Sequence, residues 1–183
     1  MKPRREPPYV PGASWVPLTR RKWALVDSSD YAAVMAAGAW HLYTPSKRRG
    51  KPKSKTNYAR RVFYVNGEKR SVYLHRWLWE RWRLTRPEHI DHIGGNGLDC
   101  RRDKLRAATQ AQNQRCRPYK NKLGLKGVAK DGSRYVARIT VDGQRKSLGR
   151  FDSAEAAAHA YDAAARRLHG EYAHTNFEEG KAA

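Results

Sequence analysis

The sequence predicts an α+β chain. A strand-rich N-terminal region leads into two short strands and a helix, followed by a three-stranded antiparallel sheet packed on one helix. Three observations carry this reading. Asn66-Gly67 and Asp142-Gly143 each lie between alternating runs, the strongest short signal for a hairpin. Gly94-Gly95-Asn96-Gly97 forces a loop between two short stretches of strand character. The alanine-rich stretch after Asp152 has its apolar residues at helical spacing.

In chain order, Trp15 to Leu18 and Trp23 to Val26 read as short strands, and Asp27 or Ser28 can cap a brief helix over Tyr31 to Met35. Residues 47–61 hold eight Lys/Arg and no acid, so they read as an exposed tip or loop, solvated or lying on phosphates. Tyr58 to Tyr64 and Ser71 to Leu74 flank the first hairpin turn. His75 to Trp82 has helical spacing, with Leu78 and Trp82 on one side. Trp77, Trp79 and Trp82 read as core and wall. His89 to Ile93 alternates as a half-buried strand does, and Leu105 to Ala108 can return beside it. Thr109 and Gln112 stand at capping-box spacing, which starts a helix and puts Asn113 one turn into it.

The formal charge of +21, from 38 Lys/Arg against 17 Asp/Glu, makes nucleic acid the first candidate partner. No apolar run approaches the ~18 residues of a membrane span, and Met1 to Pro11 lacks the apolar stretch of a signal peptide. Cys100 and Cys116 are too few for a disulfide framework or a four-cysteine zinc site, which points to a reducing cytosol.

The central constellation is Asp91-His92, with Asn113 following twenty-one residues after the histidine. Asp91 offers an anionic oxygen and Asn113 a neutral carbonyl oxygen, both suited to a hard divalent cation. Two protein ligands leave room for water and a phosphate. His92, with a pKa near neutrality, can take a proton from the attacking water. Asp91 and His92 point opposite ways in an ideal pleat, so a local distortion is expected where both must face one phosphate. His75 is left between supporting the site, contacting DNA and packing under Trp79.

These residues resemble the HNH endonuclease family with its ββα-metal fold, in the branch found in homing and phage-type endonucleases. The matching residues are Leu74-His75-Arg76, Ile90-Asp91-His92-Ile93, Asn96, Leu98-Asp99, Arg101-Arg102, Leu105-Arg106, Ala108-Thr109 and Gln112-Asn113. The resemblance implies His92 as general base and Asp91 with Asn113 as ligands of a divalent metal, Mg2+ first and Mn2+ as the alternative. Two positions depart from the family's pattern. Its middle asparagine, which braces the loop holding the base, falls on Lys104, and Cys100 stands where that branch has Asn.

In the last third, Arg134 to Val141 and Arg145 to Phe151 join through Asp142-Gly143, and with the Val128 region they make three strands. Tyr135, Ala137 and Ile139 share one face, Arg138 and Thr140 the other. Asp152 with Glu155 reads as a capping box, Gly170 as the helix end, and Ala157, Ala160, Tyr161, Ala164 and Leu168 as its buried side. Lys126-Gly127-Val128, Leu148-Gly149-Arg150-Phe151, Ala160 to Ala164, Gly170-Glu171 and Asn176-Phe177 resemble the ethylene-response-factor (APETALA-type) DNA-binding domain. That resemblance makes Lys126, Arg138, Thr140, Arg145 and Ser147 candidate DNA contacts, and Arg134 joins them by charge and location.

The expected division is an N-terminal extension over 1–70, a nuclease core over 71–117, a linker over 118–123, a DNA-binding domain over 124–177 and a tail over 178–183. The expected function is metal-dependent hydrolysis of phosphodiester bonds in duplex DNA, in the cytoplasm of a bacterial or phage-infected cell. No protein partner is required. A DNA-binding regulator whose cutting centre has decayed is the alternative.

Overall fold

A computed structural model of the chain describes residues 7–45, 56–82, 85–115 and 121–177. It divides into two compact units, Met1–Thr109 and Gln110–Ala183. The basic tip expected over 47–61 lies largely outside the described residues, apart from 56–61.

In the first unit, β1 (Ala13–Pro17) and β2 (Trp23–Asp27) pair antiparallel, and α1 (Ser28–Ala36) follows. The strands β3 (His41–Tyr43), β4 (Tyr58–Val65) and β5 (Glu68–Tyr73) form a second sheet in that order. The third strand, β3, has no counterpart in the sequence reading, because three residues are too short to show a period. Between β4 and β5, Asn66 (φ 51°) and Gly67 (φ 77°) are both left-handed, as a type I′ turn requires. Helix α2 (Leu74–Arg81) then buries Leu74, His75, Leu78 and Trp79. Finally β6 (His89–His92) and β7 (Leu105–Ala108) form a two-stranded ladder.

The core of this unit gathers Val16, Val26, Val34, Trp40, Ala59, Leu74, Leu78 and Cys100, with Trp77 and Trp82 packed on it. Each fully buried Leu or Val there contributes ~1.5–3 kcal/mol. Trp79 joins Ile90 and Leu105 in a smaller cluster that seats the ladder. The indole nitrogens are satisfied: Trp40 donates to Val34 O, Trp79 to Thr85 O and Trp82 to Asp30 Oδ2. These three rings are structural. Asp27 does occupy the N-cap position of α1 but makes no side-chain cap bond. Its carboxylate accepts instead from the Arg102 backbone N–H at 2.9 Å, which ties β2 to the later loop.

The second unit opens with α3 (Gln110–Arg115), then β8 (Val128–Asp131), β9 (Arg134–Val141), β10 (Gln144–Phe151) and α4 (Ala154–His169). The sheet order is β10-β9-β8, all antiparallel. Helix α3 goes with this unit: Lys126 Nζ donates to Arg115 O, and Arg115 pairs with Asp142. The division therefore falls ahead of the linker expected over 118–123. Ala157, Ala158, Tyr161, Ala164 and Ala165 of α4 pack against Val128, Ala137 and Ile139. Two details differ from the sequence reading. Ser153, not Asp152, caps α4, its hydroxyl accepting from Ala156 N–H at 3.0 Å. Leu168 is 38% exposed, because the buried stripe turns toward Ala158 and Ala165.

Candidate active site

Asp91 and His92 close β6, and cross-strand pairing decides their neighbours. Asp91 stands opposite Arg106, and His92 opposite Leu105. Arg106 donates to Asp91 Oδ2 from Nε at 2.9 Å and from Nη2 at 2.7 Å. Both side chains are shielded, at 15% and 8% exposure. Both of these bonds fall on Oδ2. The ladder keeps its register through His92, and the chain departs from it only at Gly94 (φ 83°) and Gly95 (φ 74°). The distortion expected at Asp91-His92 therefore begins after the pair, where glycines remove the steric cost.

His92 enters an aromatic cage. Its ring lies 4.8 Å from that of His75 at 82° and 5.9 Å from Tyr58. His75 is stacked on Tyr73 at 5.5 Å and 15°, and touches Tyr58 at 5.8 Å. Burial pushes the His92 imidazole down to about 4, against the pull of Asp91 and Asp99, and not near neutrality as the sequence suggested. Burial, then His92, then Arg76, push His75 down to about 3. Both rings are neutral at neutral pH, so His92 holds a lone pair ready for a proton. Its Nε2 and the Nδ1 of His75 are buried without a hydrogen-bond partner among the described residues.

The loop after His92 is stitched from several sides. Leu25 N–H donates to Leu98 O and Cys100 N–H to Leu25 O, both at 2.8 Å, joining the loop to β2. Gly95 N–H returns to His92 O, Ile93 N–H donates to Lys104 O, and Asn96 Oδ1 accepts from Leu98 N–H. Asp99 holds Arg101 through two bonds of 2.9 and 2.7 Å. Lys104 takes part through its backbone, while its ammonium lies on Asp103 at 3.2 Å. The loop is thus held by backbone bonds and by the side chains of Asn96, Asp99 and Asp27. Cys100, fully buried, has its thiol pushed up by burial and serves as core.

Comparison with known proteins meets the chain at this centre. The family model described as HNH endonuclease matches residues 72–115, which span α2, the ladder and Asn113. Protein 3.8 of Escherichia phage T7 is 32% identical over 102 residues, covering 52% of this chain and 84% of the relative. The chain belongs to the HNH endonuclease family. An HNH domain is a DNA-cutting domain, so the chain is a nuclease and its substrate class is DNA.

In the first unit of this HNH protein Asp91 and His92 are consecutive on β6, whose regular register turns their side chains to opposite faces. Asn113 stands half-buried on α3, which belongs with the second unit. Among the described residues no group of three or more His, Cys, Asp or Glu is arranged for a metal. Arg106, quoted among the matching residues but given no role there, is the ion-pair partner of Asp91. No described helix is long and apolar enough to cross a membrane.

In the second unit, Arg138 is opposite Ser147 and Thr140 opposite Arg145. Opposed residues share a face, and Arg134 joins them four positions before Arg138 on β9. That face is turned away from α4, whose contacts are with Tyr135, Ala137 and Ile139. Arg150, opposite Val136, shares it too and was overlooked because a bulge between Ser147 and Gly149 shifts the alternation. Arg134 is paired with Asp152 at 2.9 Å and Arg150 with Asp131 at 2.7 Å, all well exposed. Lys126 differs: its ammonium is on Arg115 O, and its backbone is held by Asn176.

Proposed function

We propose that the chain is a metal-dependent DNA endonuclease of phage or mobile-element (homing) kind, positioned on duplex DNA by the basic sheet face of its second unit. His92 Nε2 accepts the proton of an attacking water. Asp91 and Asn113 are the oxygen donors for a divalent cation, Mg2+ with Mn2+ as the alternative. Such a cation neutralises charge building on the phosphate and the leaving oxygen. The donor types suit it: Asp91 is an anionic oxygen donor whose carboxylate Arg106 holds in place at Oδ2. The observation that carries the reading is the buried, neutral His92 with an unpartnered Nε2, next in the chain to that carboxylate.

Binding and targeting fall to Arg134, Arg138, Thr140, Arg145 and Ser147, with Arg150 added and Lys126 in a supporting place. Arginines on a sheet face entering the major groove can read guanine edges. The resemblance of this unit to the ethylene-response-factor type domain is part of the proposal, supported by three antiparallel strands on one helix.

Incubating the chain with phage or plasmid DNA, with Mg2+ or with EDTA, tests the reading. Nicks or breaks that appear only with the metal support it. Tight binding without breaks under either condition overturns it in favour of a DNA-binding regulator.

A further inference from the structure

His75 has no role in the reaction described so far, yet it is placed as if it had one. It is 8% exposed, as is His92, and the two rings meet edge to face at 4.8 Å. Tyr73 stacked beneath it and Tyr58 at its side hold its plane. Its neighbours along α2, Leu74 and Leu78, are fully buried, so its backbone is anchored as well. Nonetheless its Nδ1 is buried with no partner among the described residues, and so is Nε2 of His92.

The rest of this core does not tolerate such waste. The indoles of Trp40, Trp79 and Trp82 and the carboxylate of Asp91 all have partners. A ring needed only for packing on Tyr73 would serve better as phenylalanine, which carries no nitrogen to leave unsatisfied. Two adjacent imidazoles that each keep one ring nitrogen free call for a small polar guest.

We propose that His75 is a second imidazole of the cutting centre, whose Nδ1 accepts one hydrogen of the attacking water while His92 Nε2 accepts the other. A neutral imidazole has one acceptor nitrogen for this purpose. The water passes its proton to His92 and its oxygen to phosphorus, as the bond from phosphorus to the leaving oxygen breaks and solvent protonates that oxygen. His75 fixes the direction of the water's lone pair and takes no proton itself. This inference rests on the HNH nuclease reading.

Single-turnover cleavage by the wild-type chain, His92→Ala, His75→Phe and His75→Asn tests it, with DNA affinity and Tm measured on each. His75→Phe should cut on the order of 100-fold more slowly with unchanged affinity and an equal or higher Tm. His75→Asn, whose amide stands near the Nδ1 position, should recover at least tenfold of that loss. Wild-type rate in His75→Phe overturns the proposal and leaves the nuclease reading intact; no cleavage by the wild type rejects both. Should His75→Phe not fold, His75→Asn is compared with His75→Leu, and equal rates in that pair overturn the proposal.

Discussion

Asp91 and Arg106 face each other across two strands, both shielded from water, and each makes the other tolerable there. Removing one partner of a buried ion pair leaves an uncompensated charge. We expect Arg106→Ala to lower the stability of the first unit by ~3–5 kcal/mol, measured by urea denaturation; a loss under 1 kcal/mol, the range of an exposed pair, contradicts the pairing. Asp91→Asn keeps an acceptor for Arg106 and should abolish metal-dependent cutting while the fold persists. The histidines give a pH test. Both fold with pKa values depressed from 6.5, to about 4 and about 3. Below pH 6.5 the unfolded chain therefore binds more protons than the folded one, and stability rises with pH across that window. Metal-free protein should lose stability as pH falls from 6.5 toward 4, and His75→Phe should flatten the slope. An unchanged slope in that variant would show that His75 does not titrate as its burial demands.

Secondary elements were legible wherever chemistry is local. Both hairpins follow from Asn66-Gly67 and Asp142-Gly143, each left-handed at both turn residues. What the sequence hid is what depends on distant contacts. Asp152 and Ser153 are both good caps, and the choice between them rests on Asp152 being drawn to Arg134. Likewise Asp27 leaves its helix for Arg102, 75 residues on. We expect Ser153→Ala to cost about 1 kcal/mol and Asp152→Ala almost nothing, by thermal unfolding; the reverse order would return the cap to Asp152. Gly127 carries a sterner demand. At φ 76°, a Cβ there would lie 1.9 Å from the Tyr161 ring, so Gly127→Ala should unfold the second unit or expel Tyr161 from its place. A variant with unchanged near-ultraviolet circular dichroism and Tm contradicts that packing.

At the scale of the whole molecule, a formal charge of +21 makes DNA binding strongly dependent on salt. Within that field, the sheet face of the second unit should carry the preference for sequence. Arg138→Ala should weaken binding to a preferred site by ~1–3 kcal/mol and relax discrimination; unchanged affinity and preference in a binding titration reject the face assignment. Of the candidate site, Asp91, His92 and Asn113 were proposed from residue type and spacing, and the matched family segment, residues 72–115, contains all three. The pairing of Arg106 and the His75 cage could not be read in that way, because they arise from strand register and from rings that β4, β5 and α2 bring together. The ties of the loop to β2, through Leu98 and Cys100 onto Leu25, were also opaque, because they join segments more than seventy residues apart.

The measurement that bears most directly on the HNH centre is cleavage by wild type and His92→Ala side by side, on the same DNA with Mg2+, with binding followed in parallel. Both proteins should bind alike, and the variant should cut slower by ~100-fold or more. Equal cutting by the two, or binding by both with no cutting by either, contradicts a centre in which His92 takes the proton.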